Sequence, residues 1–149
     1  NSNNWNTTAP LSEWYGVGVD GEGRVVDLLL YDNNLQGTIP RELGTLASLQ
    51  VLNLGKNGLT GSIPEEIGGL VKLEELALYE NKLKGFIPKE LGGLVTLERL
   101  DLDDNKLIGA IPKELGRLVT LRNLYLHGNG LTGSIPEELG GLVRLEELR

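Results

Sequence analysis

Aliphatic residues recur along this chain in a fixed order. Within 97–112, leucine occupies Leu97, Leu100 and Leu102, Asn105 follows, and a Gly-x-Ile-Pro segment comes next. That segment returns every 24 residues without insertion or deletion, at 37–40, 61–64, 85–88, 109–112 and 133–136. A period of this length is typical of a solenoid, in which each unit packs only on its neighbours.

The first half of each repeat predicts a short strand. The Leu-x-Leu alternation places leucines on one side of the strand and the intervening residues on the other. The repeats run over 25–48, 49–72, 73–96, 97–120 and 121–144, with a partial repeat at 145–149. They predict a parallel sheet with strands about 4.8 Å apart. Residues 1–24 lie outside the period and are predicted to form an N-terminal cap.

The second half of each repeat predicts a single 3₁₀ turn. Proline presets φ for a first turn, and the glutamate two residues later suits the positive end of the helix dipole. A glycine follows so soon that only about one turn fits. We expect that glycine to stop the turn in a left-handed conformation, at Gly44, Gly68, Gly92, Gly116 and Gly140.

An asparagine ends each predicted strand, at Asn33, Asn57, Asn81, Asn105 and Asn129. An amide both donates and accepts hydrogen bonds. We therefore expect a ladder of stacked asparagines that satisfies the backbone where the chain leaves the sheet.

The repeat, written L-x-x-L-x-L-x-x-N-x-L-x-G-x-I-P-x-x-L-G-x-L-x-x, resembles the plant-type leucine-rich repeat over residues 25–149. The resemblance implies an α/β solenoid: a right-handed arc with a parallel sheet of short strands on its concave face and 3₁₀ turns and loops on its convex face. It also implies a second run of short strands near the L-x-G-x-I-P segment.

The N-terminal residues resemble the cap of the same family, without its cysteines. Trp5, Trp14 and the Gly-Arg-Val segment at 23–25 follow the family pattern, but Ser12 and Val19 stand where the plant cap usually has Cys. Such caps are similar to those of algal, protist or bacterial relatives, or to an engineered version. We expect Trp5 and Trp14 to close the core over Val25 and Leu28. At the other end, Leu145–Arg149 is predicted to expose apolar surface and to favour self-association.

Function is predicted on the outward strand positions, because these vary while the inward ones do not. The candidate ligand-binding residues are Tyr31, Glu75, Tyr79, Glu80, Asp101, Asp103, Asp104, Tyr125 and His127. Tyrosine is a frequent interface anchor, and we expect a notch between Tyr31 and Tyr79 at Gly55. The acidic members either receive Lys or Arg of a partner or only keep the face soluble, and calcium is a weaker alternative.

His127 is the only histidine, and Asp103 holds the same position one repeat earlier. This predicts either a hydrogen-bonded pair with pH-sensitive binding or a simple exposed histidine. Without Cys there is no zinc cluster of His and Cys, and no serine lies near His127 for a catalytic triad. We therefore predict a protein without enzymatic activity, metal or cofactor.

The composition of the chain limits the classes of partner that we expect. The net charge is −7 and no Lys/Arg cluster is present, which disfavours nucleic acids and favours a protein or peptide of basic or mixed charge. No apolar run reaches the ~20 residues of a membrane span. The resemblance implies an extracellular protein, but the Cys-free cap leaves the cytoplasm open. The leading hypothesis is a peptide- or protein-binding module in recognition or signalling, and the alternative is a structural spacer or engineered scaffold.

Overall fold

The computed structural model describes residues 8–149, which form twelve short strands and six 3₁₀ segments. The strands are β1 (Val17–Val19), β2 (Val25–Leu29), β3 (Gln36–Thr38), β4 (Val51–Asn53), β5 (Gly58–Thr60), β6 (Glu75–Ala77), β7 (Lys84–Gly85), β8 (Arg99–Asp101), β9 (Lys106–Gly109), β10 (Asn123–Tyr125), β11 (Gly130–Leu131) and β12 (Glu147–Leu148).

A seven-stranded sheet in the order β1-β2-β4-β6-β8-β10-β12 forms one side of the solenoid. β1 is antiparallel to β2, and the remaining pairs are parallel with a register of one repeat, so that Leu76, Leu100 and Leu124 align. These three leucines are fully buried. Because side chains alternate along a strand, this register also aligns the outward residues in columns.

The second run of strands forms two small parallel sheets, β3-β5 and β7-β9-β11. Three of these strands include the glycine of the Gly-x-Ile-Pro segment, β5 directly precedes it, and β11 ends two residues before it. The additional strands implied by the resemblance are therefore confirmed.

The 3₁₀ segments η1–η6 span Leu11–Glu13, Arg41–Thr45, Glu65–Gly69, Lys89–Gly93, Lys113–Arg117 and Glu137–Gly141. In the last five, proline is the residue just before the segment and a glutamate lies in the first turn. The sequence prediction of single 3₁₀ turns is confirmed.

The prediction that the glycine after each turn is left-handed was wrong. Gly44, Gly68, Gly92, Gly116 and Gly140 lie inside the 3₁₀ segments, and none of them has a positive φ. A Cβ on Gly68 would stand 2.2 Å from the carbonyl oxygen of Glu90 in the next repeat. Glycine is therefore needed there for close packing between repeats. The left-handed glycine is that of the Gly-x-Ile-Pro segment, for example Gly61 with φ of 78°.

The asparagine ladder is present, and the side chains of Asn57, Asn81, Asn105 and Asn129 are hydrogen-bonded to the backbone. In the fourth repeat, Asn105 Oδ1 accepts the N–H of Leu83 at 3.0 Å, and Nδ2 donates to the carbonyls of Leu78, Leu102 and Asp103 at 3.0–3.2 Å. Asn57, Asn81 and Asn129 repeat this pattern. The ladder joins consecutive repeats because each amide bonds to its own repeat and to the preceding one.

The cap adds one antiparallel strand to the end of the sheet. β1 pairs with β2, and Val17 and Val25 pack against the leucine core. The indole of Trp14 is half-buried and its Nε1–H donates to the Ala9 carbonyl at 3.0 Å. Trp5 lies outside the described residues, so its predicted contact with the core stays a prediction.

At the opposite end, β12 pairs with β10 and leaves Leu148 46% exposed. Self-association through this edge remains a prediction. Within residues 8–149, no helix is both long and apolar enough to span a membrane.

Candidate binding site on the concave face

Seven outward side chains from β6, β8, β10, β12 and the residues that follow them line one concavity of about 310 Å³. We call it the concave pocket, and its residues are Tyr79, Arg99, Asp101, Asp103, Tyr125, His127 and Arg149. Strand register brings them together, since Asp101 is the partner of Tyr125 across β8 and β10. Five of the nine candidates from the sequence are thus adjacent.

Asp101 forms the floor of the pocket. Its side chain is 4% exposed, and Oδ2 accepts a hydrogen bond from Arg99 Nη2 at 2.6 Å. Burial opposes the charge of Arg99, but the hydrogen bond and charge of Asp101 outweigh it and raise the pKa of Arg99. Asp101 Oδ1 is buried and has no hydrogen-bond partner. Arg99 covers Asp101, and the predicted contact of Asp101 with a ligand stays a prediction.

Asp103 lies beside Asp101 and is strongly perturbed. Burial, a hydrogen bond with the Asp101 carboxyl and the negative charge of Asp101 raise the pKa of Asp103 to about 7, while His127 opposes the shift. The two carboxyls share one small space, so the second negative charge is disfavoured near neutral pH. A cation from a ligand would relieve this repulsion.

His127 stands near Asp103 without a hydrogen bond between the side chains. Nε2 of His127 lies 3.7 Å from Asp103 Oδ2, which is an ion-pair distance but too long for a hydrogen bond. The imidazole is 48% exposed. The predicted adjacency is confirmed. Of the two alternatives for His127, the hydrogen-bonded pair was wrong, and the exposed histidine is the one that the structure shows.

Tyr125 is held between two guanidinium groups. Arg99 Cζ lies 5.0 Å and Arg149 Cζ 5.5 Å from the centre of its ring. Its hydroxyl donates to Glu147, and this hydrogen bond raises the pKa of Tyr125 and lowers that of Glu147. The ring is thereby fixed in orientation, which lowers the entropic cost of using it as a contact.

Tyr79 and Tyr31 differ in their surroundings. The Tyr79 ring lies over Gly55, where a Cβ would stand 2.4 Å from Cε1. Tyr79 therefore occupies the space at Gly55, and the expected notch was wrong. Burial is the main cause that raises the pKa of Tyr79. Tyr31 is 55% exposed and lies outside the concave pocket.

The remaining acidic candidates lie at the borders of the pocket. Glu80 is exposed, has a positive φ of 48° and pairs with Lys56 at 3.6 Å. Glu75 is half-buried and lines a separate shallow depression with Arg99 and Asn123. Asp104 is exposed, with φ of 49°.

Sequence reasoning missed Arg99 and Arg149 as members of the pocket. Both stand in outward columns, and a signal was present: Arg99 is two residues from Asp101 on one strand face. The predicted residues were aromatic, acidic or histidine, although a buried carboxylate needs a cation such as arginine.

Comparison with known proteins decides the family. The family model for a leucine-rich repeat region matches residues 27–149. The chain belongs to the leucine-rich-repeat family. Among solved structures, this leucine-rich-repeat chain is similar to the ectodomain of the plant membrane receptor kinase GASSHO1/SCHENGEN3 from Arabidopsis thaliana, solved in complex with CASPARIAN STRIP INTEGRITY FACTOR 2. The two share 43% identity with a TM-score of 0.90, over 97% of this chain and 17% of that chain.

Two further relatives extend the range of functions in the family. A plant ice-binding protein is 38% identical with a TM-score of 0.89, over 95% of this leucine-rich-repeat chain and 46% of that protein. A probable leucine-rich repeat receptor-like protein kinase of Arabidopsis thaliana is 39% identical over 54 residues, which is 36% of this chain and 6% of the kinase. This chain thus spans a small part of the length of these receptor kinases.

Proposed function

We propose that this leucine-rich-repeat protein is a non-enzymatic module that binds a peptide or a protein segment on its concave face, with a role in recognition or signalling. The observation that carries the proposal is the concave pocket, where Asp101 and Asp103 meet beside Tyr79 and Tyr125. The receptor-kinase ectodomain solved in complex with CASPARIAN STRIP INTEGRITY FACTOR 2 supports the same use of the fold.

The chemistry of the pocket indicates a ligand of mixed charge with at least one cationic group. Asp103 carries the carboxyl whose ionisation is held back by burial and by Asp101, and a Lys or Arg side chain of a ligand would stabilise the ionised form. Arg99 and Arg149 offer guanidinium groups to an acidic or carbonyl group of the same ligand. Tyr79 and Tyr125 supply the apolar contact between these charges.

Peptide selection tests the proposal. A random peptide library would be selected on the wild-type protein, and the affinities of the selected peptides compared with those for two variants. The concave variant carries Tyr79→Ser, Asp103→Asn and Tyr125→Ser. The matched control carries Phe86→Ser, Glu65→Gln and Ile135→Ser, which also remove two apolar side chains and one carboxylate, but away from the concave face.

We expect selected peptides rich in Lys or Arg that lose at least about tenfold in affinity for the concave variant, equivalent to about 1.4 kcal/mol. The control variant keeps its affinity. Equal losses in both variants, or a loss in the control alone, would refute the concave assignment. A library that yields no saturable binder would favour the alternative, a structural spacer or scaffold.

The ice-binding relative suggests a second class of function, adsorption to ice, which one feature of the surface disfavours. Adsorption to a crystal lattice requires the same small groups at regular spacing. The residue after the glycine of each Gly-x-Ile-Pro segment changes from repeat to repeat: Thr38, Ser62, Phe86, Ala110 and Ser134. Phe86 is 68% exposed and interrupts the hydroxyl series. We therefore retain peptide binding as the proposed function.

A further inference from the structure

Three side chains that can bind a metal ion converge beside the concave pocket. Asp103 and His127 occupy equivalent positions in consecutive repeats, and the N–H of Asp104 donates to the His127 carbonyl at 3.0 Å. Asp104 lies directly over Gly128, where a Cβ would collide with its Oδ1. One ligand atom each from Asp103, Asp104 and His127 lies within 4.8 Å of the other two.

The negative charge of this group is not balanced by the neighbouring cations. Within residues 8–149, no Lys or Arg side chain forms an ion pair with Asp103 or Asp104. The only basic side chain within 4.0 Å of the Asp103 carboxyl is that of His127. Lys56, which pairs with Glu80, and Arg99, which pairs with Asp101, are engaged elsewhere. Among the described residues, the imidazole of His127 is therefore the one basic group at ion-pair distance from this pair of carboxyls.

Asp101 adds an independent indication from behind the group. It is 3% exposed, its Oδ1 has no hydrogen-bond partner, and it lines the concave pocket together with Asp103 and His127. A buried carboxylate oxygen without a partner is costly unless a cation or donor compensates it. A cation bound to Asp103 would compensate the buried charge of Asp101 by electrostatic attraction.

We propose that Asp103, Asp104 and His127 form a binding site for a late first-row divalent cation, represented by Zn²⁺. His127 would coordinate through Nε2, and each aspartate through one oxygen. An imidazole favours Zn²⁺, Co²⁺ and Ni²⁺ over Ca²⁺, which takes 6–8 oxygen ligands. This site does not depend on the proposed peptide binding.

The geometry needs only a modest contraction. Ligand atoms about 2.0–2.2 Å from a tetrahedral Zn²⁺ are about 3.4 Å apart. Asp104 and His127 are exposed, so their side chains can rotate inward without disturbing the core. Three protein ligands leave a coordination position open to water or to a donor group of a bound partner.

The composition of the chain makes the test unusually clean. The protein contains one His and no Cys, so every imidazole signal belongs to His127. ZnCl₂ alone would be titrated into the full chain by calorimetry, while ¹H–¹⁵N spectra follow the two ring nitrogens. Co²⁺ would report the coordination geometry by its absorption spectrum. We expect one saturable site, with the Nε2 resonance of His127 shifted.

Two variants and a matched control assign the ligands. His127→Ala and Asp104→Asn should each weaken Zn²⁺ binding by at least about tenfold. Asparagine tolerates the left-handed backbone at residue 104, so the second variant keeps the fold. Asp32→Asn is the control, because Asp32 has the equivalent position in the first repeat, with φ of 50°, and the repeat that follows it has Gly55 at the position equivalent to His127.

Unchanged affinity in Asp32→Asn completes the expected pattern. The site is refuted if His127→Ala binds Zn²⁺ as the wild type does, or if the ring nitrogens of His127 stay unshifted at saturating Zn²⁺. Equal weakening by Asp32→Asn also contradicts it, since that result would indicate diffuse binding to surface carboxylates. Circular dichroism of each variant shows that the fold is retained.

Discussion

The asparagine ladder and the concave pocket both bury polar groups, but only the ladder satisfies them. Asn105 and Asp101 belong to the same repeat, and each is less than 10% exposed. Asn105 makes four hydrogen bonds to the backbone. Asp101 has one unpartnered oxygen and a second carboxyl against it. Buried polar groups are normally satisfied, so the difference separates a structural element from a surface organised for binding.

The largest expected effect concerns the ladder. We expect Asn105→Ala to lower the free energy of unfolding by about 3 kcal/mol, because it leaves the buried N–H of Leu83 without an acceptor and removes three donations to carbonyls. Urea unfolding at pH 8 measures the change. Asn123→Ala on the concave face is the control, with an expected change within about 0.5 kcal/mol. Similar losses in both variants would remove the distinction between ladder and surface.

A second test removes the cation that covers Asp101. Arg99→Met keeps the aliphatic stem but leaves a buried carboxylate without its ion pair, which we expect to cost about 2 kcal/mol at pH 8. Arg99→Lys should retain part of the stability, because it keeps the charge but loses the guanidinium geometry. A wild-type stability for Arg99→Met would mean that water, and not Arg99, compensates Asp101.

The third test uses the pH dependence of stability. The pKa of Asp103 is raised in the folded state from 3.8 to about 7, so the contribution of this carboxyl to the free energy of unfolding is fully present below about pH 4 and is lost as pH rises through 7. Because water reaches part of the group, we expect this loss to be about 1–2 kcal/mol, less than the full shift implies. The Asp103→Asn variant should not show this loss of stability, because its amide is neutral and can donate a hydrogen bond to Asp101.

Thermal or urea unfolding between pH 4 and 8, with EDTA present, checks this prediction. Asp101→Asn is the paired variant, because it removes the negative charge that repels the ionised carboxyl of Asp103. Parallel pH profiles for wild type and Asp103→Asn would contradict the perturbed carboxyl pair.

The smallest expected effect lies at the border of the pocket. The hydrogen bond to Glu147 raises the pKa of Tyr125. In Glu147→Gln the negative acceptor is gone, and the pKa of Tyr125 should fall toward its ordinary value in an absorbance titration of tyrosinate. An unchanged titration would show that Tyr125 and Glu147 do not interact in solution.

Much of the fold was predictable because its signals repeat. The position of Leu100 inside the core and of Asn105 in the ladder follows from a 24-residue period that imposes one register on every strand. The role of Gly68 was not predictable in this way. Glycine is required at this position because the Glu90 carbonyl of the next repeat lies close to it. Local conformational propensity carries no information about such a contact.

The site was less predictable than the fold. Columns of outward residues correctly joined Asp103 to His127, because they depend only on register. They did not show that Arg99 would cover Asp101, nor that Tyr79 would lie over Gly55, because those outcomes depend on side-chain rotamers and burial. A search for the cation that balances each buried carboxylate is the criterion that was missing from the prediction of the site.

The perturbed carboxyl of Asp103 is the point at which the central claim is most directly measurable. A ¹³C NMR titration of the Asp103 carboxyl, with EDTA present, should give a pKa of about 7 in the wild type and a markedly lower value in Asp101→Asn. A wild-type pKa near 4, equal in both proteins, would contradict the account of the concave pocket as a surface whose charges await a ligand.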